Sequence, residues 1–422
     1  MRLRSALVRC AALLLLAPLS NCGGGGAGSG SGGPPPLVLP TGPNVIPIVV
    51  DAGPTRQLIN IPSVSVTICA PGTTNCQTID HILLDSASTG LRIIASVLSP
   101  TLTLPAVHTA AGDPMFECLI FANKDYVWGS VRTADVQIAN GKASNLAVQL
   151  INDHTADPTI PVTPTDCSES NLATPPAGLN SVATFGSNGV LGISVFLQDC
   201  GPVCLTIANP GGLGYYYGCP ASGCVGTTVS SLAMELQNPI SQLGGNDHNG
   251  ALIVLPAIGR AGQSTVTGAL ALGIDTESNN QLGGATLLGL DPLTGNFTTT
   301  YKGKTMAASF LDTGSNGYFF ADTSLTSCAT AGFYCPATAQ SLSATNQGVG
   351  ANNMPTTVSF TIVNEESVTT VNGNFAAFND VGGPSSDPNS FDWGLPFFFG
   401  RQVFMTFEGQ TSSAGNGPFI AY

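Results

Sequence analysis

LDTGSNG at residues 311–317 and LDSASTG at residues 84–90 are two copies of one pattern in this chain of 422 residues. A second shared pattern follows each copy, GISVF at 192–196 and GLPFF at 394–398. A single turn of this Asp-containing type is common at strand ends and indicates little by itself. The same two patterns in the same order predict two homologous halves, each of which places one carboxylate at the end of an apolar strand.

The composition is typical of a secreted β-protein. Only 9% of the residues are charged, 43% are apolar, and 12 basic residues stand against 25 acidic ones. This balance excludes a coiled coil, a wholly disordered chain and a nucleic-acid partner, whose phosphates require a basic surface. One helix is predicted at 229–236. Strands are predicted where β-branched or alternating runs lie between turn residues, at 63–68, 131–138, 146–151, 251–255 and 356–363.

The N-terminal residues predict export. Residues 1–21 combine a basic start with a short apolar run, which is typical of a signal peptide. The run LSNC at 19–22 is typical of a bacterial lipobox and predicts lipidation of Cys22, with simple secretory cleavage nearby as the alternative. Residues 22–44, rich in Gly and Pro, would then form a tether. Since Gly23 is not the Asp that retains lipoproteins at the inner membrane, we expect an outer-membrane lipoprotein of the bacterial envelope that touches the membrane through its lipid only.

Ten of the 12 cysteines lie beyond the predicted lipobox, an even number in an oxidising compartment. A zinc site is the competing interpretation of these cysteines, but neither CxxC nor HExxH occurs and the histidines are scattered. We therefore expect no metal and no cofactor. Short spacing predicts three disulfides, Cys69 with Cys76, Cys219 with Cys224 and Cys328 with Cys335. The pairing of four others stays open: Cys118, Cys167, Cys200 and Cys204.

These motifs resemble those of the pepsin-like aspartic peptidase family, in a bacterial lipoprotein form. DTGS at 312–315 matches that family's active-site loop, and DSAS at 85–88 matches it except for Ala87. The resemblance covers most of residues 45–422. It implies an all-β, bilobal double β-barrel with a central cleft and few short helices. The N-terminal β-lobe would span 45–248 and the C-terminal β-lobe 249–422.

The resemblance also implies a role for each loop residue. Asp85 and Asp312 would project into the shared cleft and hold one proton between them, because two adjacent carboxylates cannot both ionise. Tyr126 is the candidate for the tyrosine of the flap that closes over substrate. The remaining residues would link the two loops or bond the carboxylate oxygens, and they are Ser86, Ser88, Thr313, Gly314 and Ser315.

Two functions are compatible with this pattern, and Ala87 separates them. Gly is used where the backbone is left-handed or packs very closely, so Ala87 predicts either strain or a shifted loop. The first function is an envelope-anchored aspartic-type endopeptidase that hydrolyses peptide bonds with the Asp85 and Asp312 dyad and an activated water. The alternative is a catalytically silent lipoprotein that binds a peptide, a protein or a glycan in the cleft.

Overall fold

The computed structural model describes residues 37–122, 124–153, 161–169, 175–208, 215–329, 332–350 and 354–422. These residues belong to one compact unit, Leu37–Tyr422. The predicted signal peptide and the predicted lipidation site Cys22 lie outside the described residues, so both stay predictions.

Strands β1 to β10 form from the alternating and β-branched runs of the first half of the chain. Their bounds are Val45–Asp51, Ile61–Cys69, Cys76–Asp85, Thr89–Ile94, Met115–Ile120, Tyr126–Ile138, Gly141–Ile151, Gly189–Ile193, Tyr215–Gly218 and Val225–Gly226.

Strands β11 to β24 follow in the second half. Their bounds are Gly250–Leu255, Val266–Leu272, Leu287–Gly289, Phe297–Tyr301, Lys304–Asp312, Tyr318–Phe320, Gln340–Gln347, Thr356–Ile362, Gly382–Gly383, Phe391–Gly394, Arg401–Thr406, Thr411–Ser412, Gly415–Asn416 and Phe419–Ala421.

Helices are few and short. Over the described residues the α-helices are α1 (Thr165–Ser168), α2 (Val182–Phe185) and α3 (Glu365–Val371). The prediction of an all-β chain with few short helices is therefore confirmed. None of the described helices combines the length and the apolar character that crossing a bilayer requires.

The predicted helix at 229–236 is wrong, because this segment forms only the single 3-10 turn Leu232–Met234. The amide of Val229 donates to the carbonyl of Cys204 at 2.9 Å. The amide of Leu236 donates to the hydroxyl of Tyr216 at 2.8 Å. A helix would use the Leu236 amide for its own i to i−4 ladder, so these contacts with distant parts of the chain outweigh the local propensity.

Two sheets repeat one arrangement of three strands. In a 15-stranded sheet, β8 lies between β3 and β4, parallel to the first and antiparallel to the second. In a 7-stranded sheet, β20 lies between β15 and β16 with the same directions. The two pairs of sequence patterns thus occupy corresponding places, as the internal repeat predicts.

The larger sheet continues from the first half of the chain into the second. Strand β1 pairs with β2 on one side and with β12 on the other, both antiparallel. Strand β11 begins at Gly250, directly after the predicted end of the N-terminal lobe. The lobe boundary itself stays a prediction.

Aromatic side chains pack around β20 and hold it in place. Phe391 stacks on Phe320, with ring centroids 4.7 Å apart, and on Trp393 at 4.3 Å. These rings are fully buried, and burying one such side chain stabilises the fold by about 1.5–3 kcal/mol. The indole N–H of Trp393 also donates to the hydroxyl of Thr299 at 3.1 Å. Strand β20, which ends at Gly394, the first residue of the GLPFF pattern, is therefore rigidly supported.

Disulfides join all the cysteines that were considered for pairing. The three predicted bonds are confirmed, and they are Cys69–Cys76, Cys219–Cys224 and Cys328–Cys335. The four cysteines that the sequence left open pair as Cys118–Cys167 and Cys200–Cys204. The Cys118–Cys167 bond ties β5 to α1 across 49 positions, so it closes the longest loop of the five and restricts the unfolded chain most.

Candidate active site

The first loop, residues 85–88, holds the carboxyl of Asp85 by local bonds. Asp85 ends β3 and lies beside Gly192 of the parallel strand β8. Its Oδ1 accepts from the amides of Ala87 at 2.8 Å and Ser88 at 3.2 Å, and its Oδ2 accepts from the Ser88 hydroxyl at 2.5 Å. The carboxyl of Asp85 therefore has a fixed orientation, although 5% of the residue is exposed.

The second loop, residues 312–315, repeats two of these three bonds. Asp312 ends β15 beside Gly394 of β20. Its Oδ1 accepts from the Gly314 amide at 2.7 Å, and its Oδ2 accepts from the Ser315 hydroxyl at 2.8 Å. The Ser315 hydroxyl also lies 2.6 Å from Oδ2 of Asp392. Asp392 was not among the predicted site residues.

Ser86 and Thr313 link the two loops reciprocally, as the resemblance implies. The Ser86 amide donates to the Thr313 hydroxyl at 3.0 Å, and the Thr313 amide donates to the Ser86 hydroxyl at 2.9 Å. Each hydroxyl then donates across the loops, Ser86 to the Leu311 carbonyl at 3.1 Å and Thr313 to the Leu84 carbonyl at 2.6 Å. Four buried bonds thus lock residues that lie 225 to 229 positions apart.

The two carboxyls face one small space. A methyl group placed on Gly314 would lie 3.1 Å from Oδ1 of Asp312 and 3.2 Å from Oδ1 of Asp85. Burial raises the pKa of Asp312 well above its usual value, and the charges of Asp85 and Asp392 and a hydrogen bond with Asp85 raise it further. Such a pair favours a state with one shared proton, which supplies an acid and a base side by side.

Ala87 does not strain the first loop. The described residues other than Gly with a positive φ do not include Ala87, so the predicted left-handed strain is wrong. Gly314, at the corresponding place, is not left-handed either. The amides of the two residues bond their carboxyls at nearly equal distances, 2.8 Å and 2.7 Å. Ala87 therefore does not shift the first loop. Ala87 is an exposed residue.

Gly192 and Gly394 allow the loops to pass closely over β8 and β20. A Cβ on Gly192 would lie 2.7 Å from the Ser88 carbonyl oxygen, and one on Gly394 would lie 2.6 Å from the Ser315 carbonyl oxygen. The amide two positions after Gly192 and the amide directly after Gly394 donate to these same carbonyls, both at 2.8 Å. The shared glycines of the repeat are thus required by close approach of backbone to backbone.

Asn60 fastens the second loop from the first half of the chain. Its Nδ2 donates to the carbonyls of Asn316 at 2.8 Å and Phe378 at 2.9 Å, and its Oδ1 accepts from the Phe378 amide at 2.7 Å. Asn60 is fully buried, with a φ of 56° that Asn tolerates better than most residues. The sequence did not reveal this role, because a single Asn before a strand is typical of an ordinary turn.

A buried ionic network lies behind the first loop. Arg92 on β4 donates to the carbonyl of Thr89 at 2.8 Å, to both oxygens of Glu117 and to Oδ2 of Asp199 at 3.2 Å. The three charged side chains are at most 3% exposed. Burial, followed by the charge of Glu117, raises the pKa of Asp199 well above its usual value. The available sequence signal was charged residues inside apolar runs, such as TGLRII and MFECLI.

Tyr126, the flap candidate, begins β6 beside residues 177–179. Its amide donates to the Ala177 carbonyl at 3.0 Å, and its carbonyl accepts from the Leu179 amide at 2.8 Å. Burial raises the pKa of the Tyr126 phenol, while a hydrogen bond with Thr163 opposes that shift. Within the described residues Tyr126 makes no hydrogen bond to either carboxyl loop, and its role as a flap stays a prediction.

Comparison with known proteins gives a family match and a similarity to solved structures. The model of the family described as "Protein of unknown function (DUF3443)" matches residues 40–422. No curated protein matches the chain. Among solved structures, the aspartic proteinase from Irpex lacteus is similar at 15% identity and a TM-score of 0.48, over 89% of this chain and 96% of that one. Since the family match includes both loops and runs to the last residue, the chain belongs to the family of unknown function DUF3443.

Proposed function

We propose that this chain is an aspartic-type endopeptidase that hydrolyses peptide bonds with Asp85 and Asp312. The observation that supports this function is the reciprocal locking of the two loops by Ser86 and Thr313. It places two carboxyls against one small space with their outer oxygens occupied by hydroxyls. This arrangement leaves the inner oxygens to act on a substrate and a water.

In the proposed reaction one carboxyl acts as the base and the other as the acid. Because the pKa of Asp312 is well above its usual value, through burial first, we assign the shared proton to Asp312. Asp85 would take a proton from water as the water oxygen bonds to the peptide carbonyl carbon, while Asp312 protonates the carbonyl oxygen. Asp85 then gives its proton to the amide nitrogen, while Asp312 takes one back from a hydroxyl of the tetrahedral intermediate, so that the C–N bond breaks and leaves one carboxylic acid and one amine.

The test is cleavage of an unfolded protein substrate between pH 3 and 7 by the purified full chain. We expect Asp85→Asn and Asp312→Asn each to lower the rate at least about a thousandfold, because neither amide can exchange the required proton. Thermal unfolding of both variants should stay near that of the wild type, since Asn preserves the shape of Asp. Cleavage that survives in both variants would contradict the proposal.

A wild-type chain that cleaves nothing over this range, but binds peptides, proteins or glycans, would instead support the catalytically silent alternative. Peptide binding and peptide cleavage are measured on the same preparation, so the two functions are separated directly. No metal or cofactor is added, in line with the chemistry proposed.

We further propose that the protein is anchored to the outer membrane through a lipid on Cys22. The support is the lipobox-like run at 19–22 and the Gly/Pro-rich residues that follow it. Cys22→Ser should move the protein from the membrane fraction to the soluble fraction of the cell envelope. A variant at Cys10, inside the predicted signal peptide, is the matched control and should stay membrane-bound. Retention of Cys22→Ser in the membrane would contradict the anchor.

A further inference from the structure

A third carboxyl, that of Asp392, lies at the core of the second half of the site. Asp392 sits on β20 between Phe310 of β15 and Phe319 of β16, two positions before Gly394. The corresponding place in the first half, two positions before Gly192, is held by Val190. Asp392 is buried, with 8% of the residue exposed, and Val190 is fully buried. The two halves therefore differ at this place, where the second half has an acidic residue and the first half an apolar one.

The Ser315 hydroxyl bridges this carboxyl to the dyad. Its Oγ lies 2.8 Å from Oδ2 of Asp312 and 2.6 Å from Oδ2 of Asp392. A serine hydroxyl carries one proton, so it can donate to only one of the two oxygens. The other contact is a hydrogen bond only if the carboxyl itself supplies the proton. Asp312 and Asp392 therefore hold at least one proton between them when both contacts are formed.

Asp392 is the better holder of that proton. Its other oxygen, Oδ1, has no hydrogen-bond partner among the described residues, whereas Oδ1 of Asp312 accepts from the Gly314 amide at 2.7 Å. A buried carboxyl with an unpartnered oxygen is stabilised in its neutral form. The hydrogen bonds then run in one direction, from Asp392 to the Ser315 oxygen and from the Ser315 hydroxyl to Asp312.

We propose that Asp392 is a positioning residue that holds a second proton of the site and, through the Ser315 hydroxyl, orients and tunes the carboxyl of Asp312. This inference rests on the proposed peptidase function for its effect on rate, but not for the sharing of the proton. In the first half the Ser88 hydroxyl bonds Asp85, and Val190, which stands at the place that corresponds to Asp392, offers no second carboxyl.

Burial and one titratable neighbour favour the neutral form of Asp392. Burial raises the pKa of Asp392 well above its usual value, the hydrogen bond with Ser315 lowers it in part, and the charge of Asp85 raises it. On β15 the titratable groups are Asp312 and Lys304, and Lys304 is exposed at the opposite end of the strand. On β16 the titratable group is Tyr318, whose raised pKa is caused by burial first and then involves groups other than Asp392.

The proposal makes a specific prediction for the pH dependence. As the pH rises, Asp392 ionises, the Ser315 proton is drawn toward it, and Asp312 loses both a hydrogen bond and a neutral neighbour. Activity should thus disappear with loss of two protons, one from the dyad and one from Asp392. On a plot of log rate against pH, the slope of the alkaline limb should approach about two.

Asp392→Asn tests this prediction, because an amide of the same shape donates permanently to Ser315. In the full chain we expect the alkaline slope to fall from about two to about one and the limb to move to higher pH by about one unit. Asp380→Asn is the matched control, since Asp380 is a buried acid of the same half whose pKa burial raises to about 6. The control should leave the slope unchanged. An unchanged slope in Asp392→Asn would overturn the proposal.

Carboxyl ¹³C NMR of the Asp-labelled full chain gives a readout that does not need activity. In the wild type we expect Asp312 and Asp392 to titrate together, and in Ser315→Ala we expect them to titrate independently. Independent titration in the wild type would refute the shared proton even if Asp392→Asn failed to fold. A chain that shows coupled titration but cleaves nothing would retain the shared proton and contradict only the peptidase function.

Discussion

Ala87 and Gly314 hold corresponding places in two loops that bond their carboxyls in the same way. The difference between them is one methyl group. At Gly314 such a methyl would approach both carboxyls within about 3.2 Å, which is closer than a carbon normally comes to an oxygen. A methyl group at this place therefore reduces the room that the two carboxyls have for a substrate and a water.

We expect Ala87→Gly to raise the rate of cleavage by about tenfold, because it removes the methyl group from the first loop and so leaves the substrate and the water more room to reach their reactive positions beside the carboxyls. The matched variant is Gly314→Ala, which adds the methyl to the second loop and should lower the rate by at least that factor. Steady-state cleavage of one unfolded substrate measures both. Equal rates in the wild type and both variants would show that the methyl does not limit the reaction.

Each half of the site depends on a central strand that lies between two others. Strands β8 and β20 each lie between the strand that ends in the catalytic candidate and the strand that follows the loop. Their glycines remove the side chains that would keep the loop backbone away. A substitution there should affect the loop geometry without removing any polar group.

Gly394→Ala is expected to destabilise the fold by about 1–3 kcal/mol, the usual range for overpacking, and to abolish cleavage. The reason is that its Cβ would lie 2.1 Å from the Gly317 carbonyl oxygen and 2.6 Å from that of Ser315. Gly284→Ala is the control, since a Cβ there meets no atom within 4 Å and the backbone is not left-handed. Denaturant unfolding of both variants is the measurement. Equal stability of the two would mean that the close approach is relaxed at little cost.

At the scale of the whole molecule, several buried acids favour folding at mildly acid pH. Burial raises the pKa of Glu235 to about 7, against a usual value near 4.5, and it raises that of Asp380 to about 6. For such groups the folded state binds more protons than the unfolded state between the two pKa values. The contribution of Glu235 to stability is thus complete below about pH 4.5 and is lost as the pH rises to about 7, and that of Asp380 is complete below about pH 3.8 and is lost as the pH rises to about 6.

Opposing groups set the acid limit of stability. Hydrogen bonds from Lys302 and Ser324 lower the pKa of Asp322 to about 2, in spite of its partial burial. A lowered pKa contributes stability above the usual value near 3.8, and this contribution is lost as the pH falls toward 2. We therefore expect maximal stability at about pH 4.

Glu235→Gln should flatten the decline of stability between pH 5 and 8, raising the free energy of unfolding at pH 8 by about 1–3 kcal/mol. The side-chain oxygen of Gln can still accept the hydrogen bond that the Gly201 backbone amide donates to Oε2 of Glu235 at 2.6 Å. Glu277→Gln is the control for net charge, since Glu277 is exposed. Denaturant unfolding at each pH is the measurement. A decline as steep in Glu235→Gln as in the wild type would contradict the assignment.

The local part of the site could be predicted from the chain itself. The apolar runs before Asp85 and Asp312 form strands, and the residues that follow each Asp bond its carboxyl, because these features depend on contacts only two or three positions apart. Three of the four short-range disulfides also follow from spacing. Each of these inferences needs only local chain geometry and the alternation of side chains along a strand.

The rest depends on tertiary contacts between distant residues. Asp392 lies next to Ser315 across 77 positions, and Asn60 reaches Phe378 across 318. The segment at 229–236 does not form the predicted helix, because its amides donate hydrogen bonds to Cys204 and Tyr216. Sequence determined which residues carry the carboxyls and hydroxyls of the loops. Only the tertiary structure decided which third carboxyl they meet, because a buried polar group takes whatever partner the packed strands place within hydrogen-bond distance.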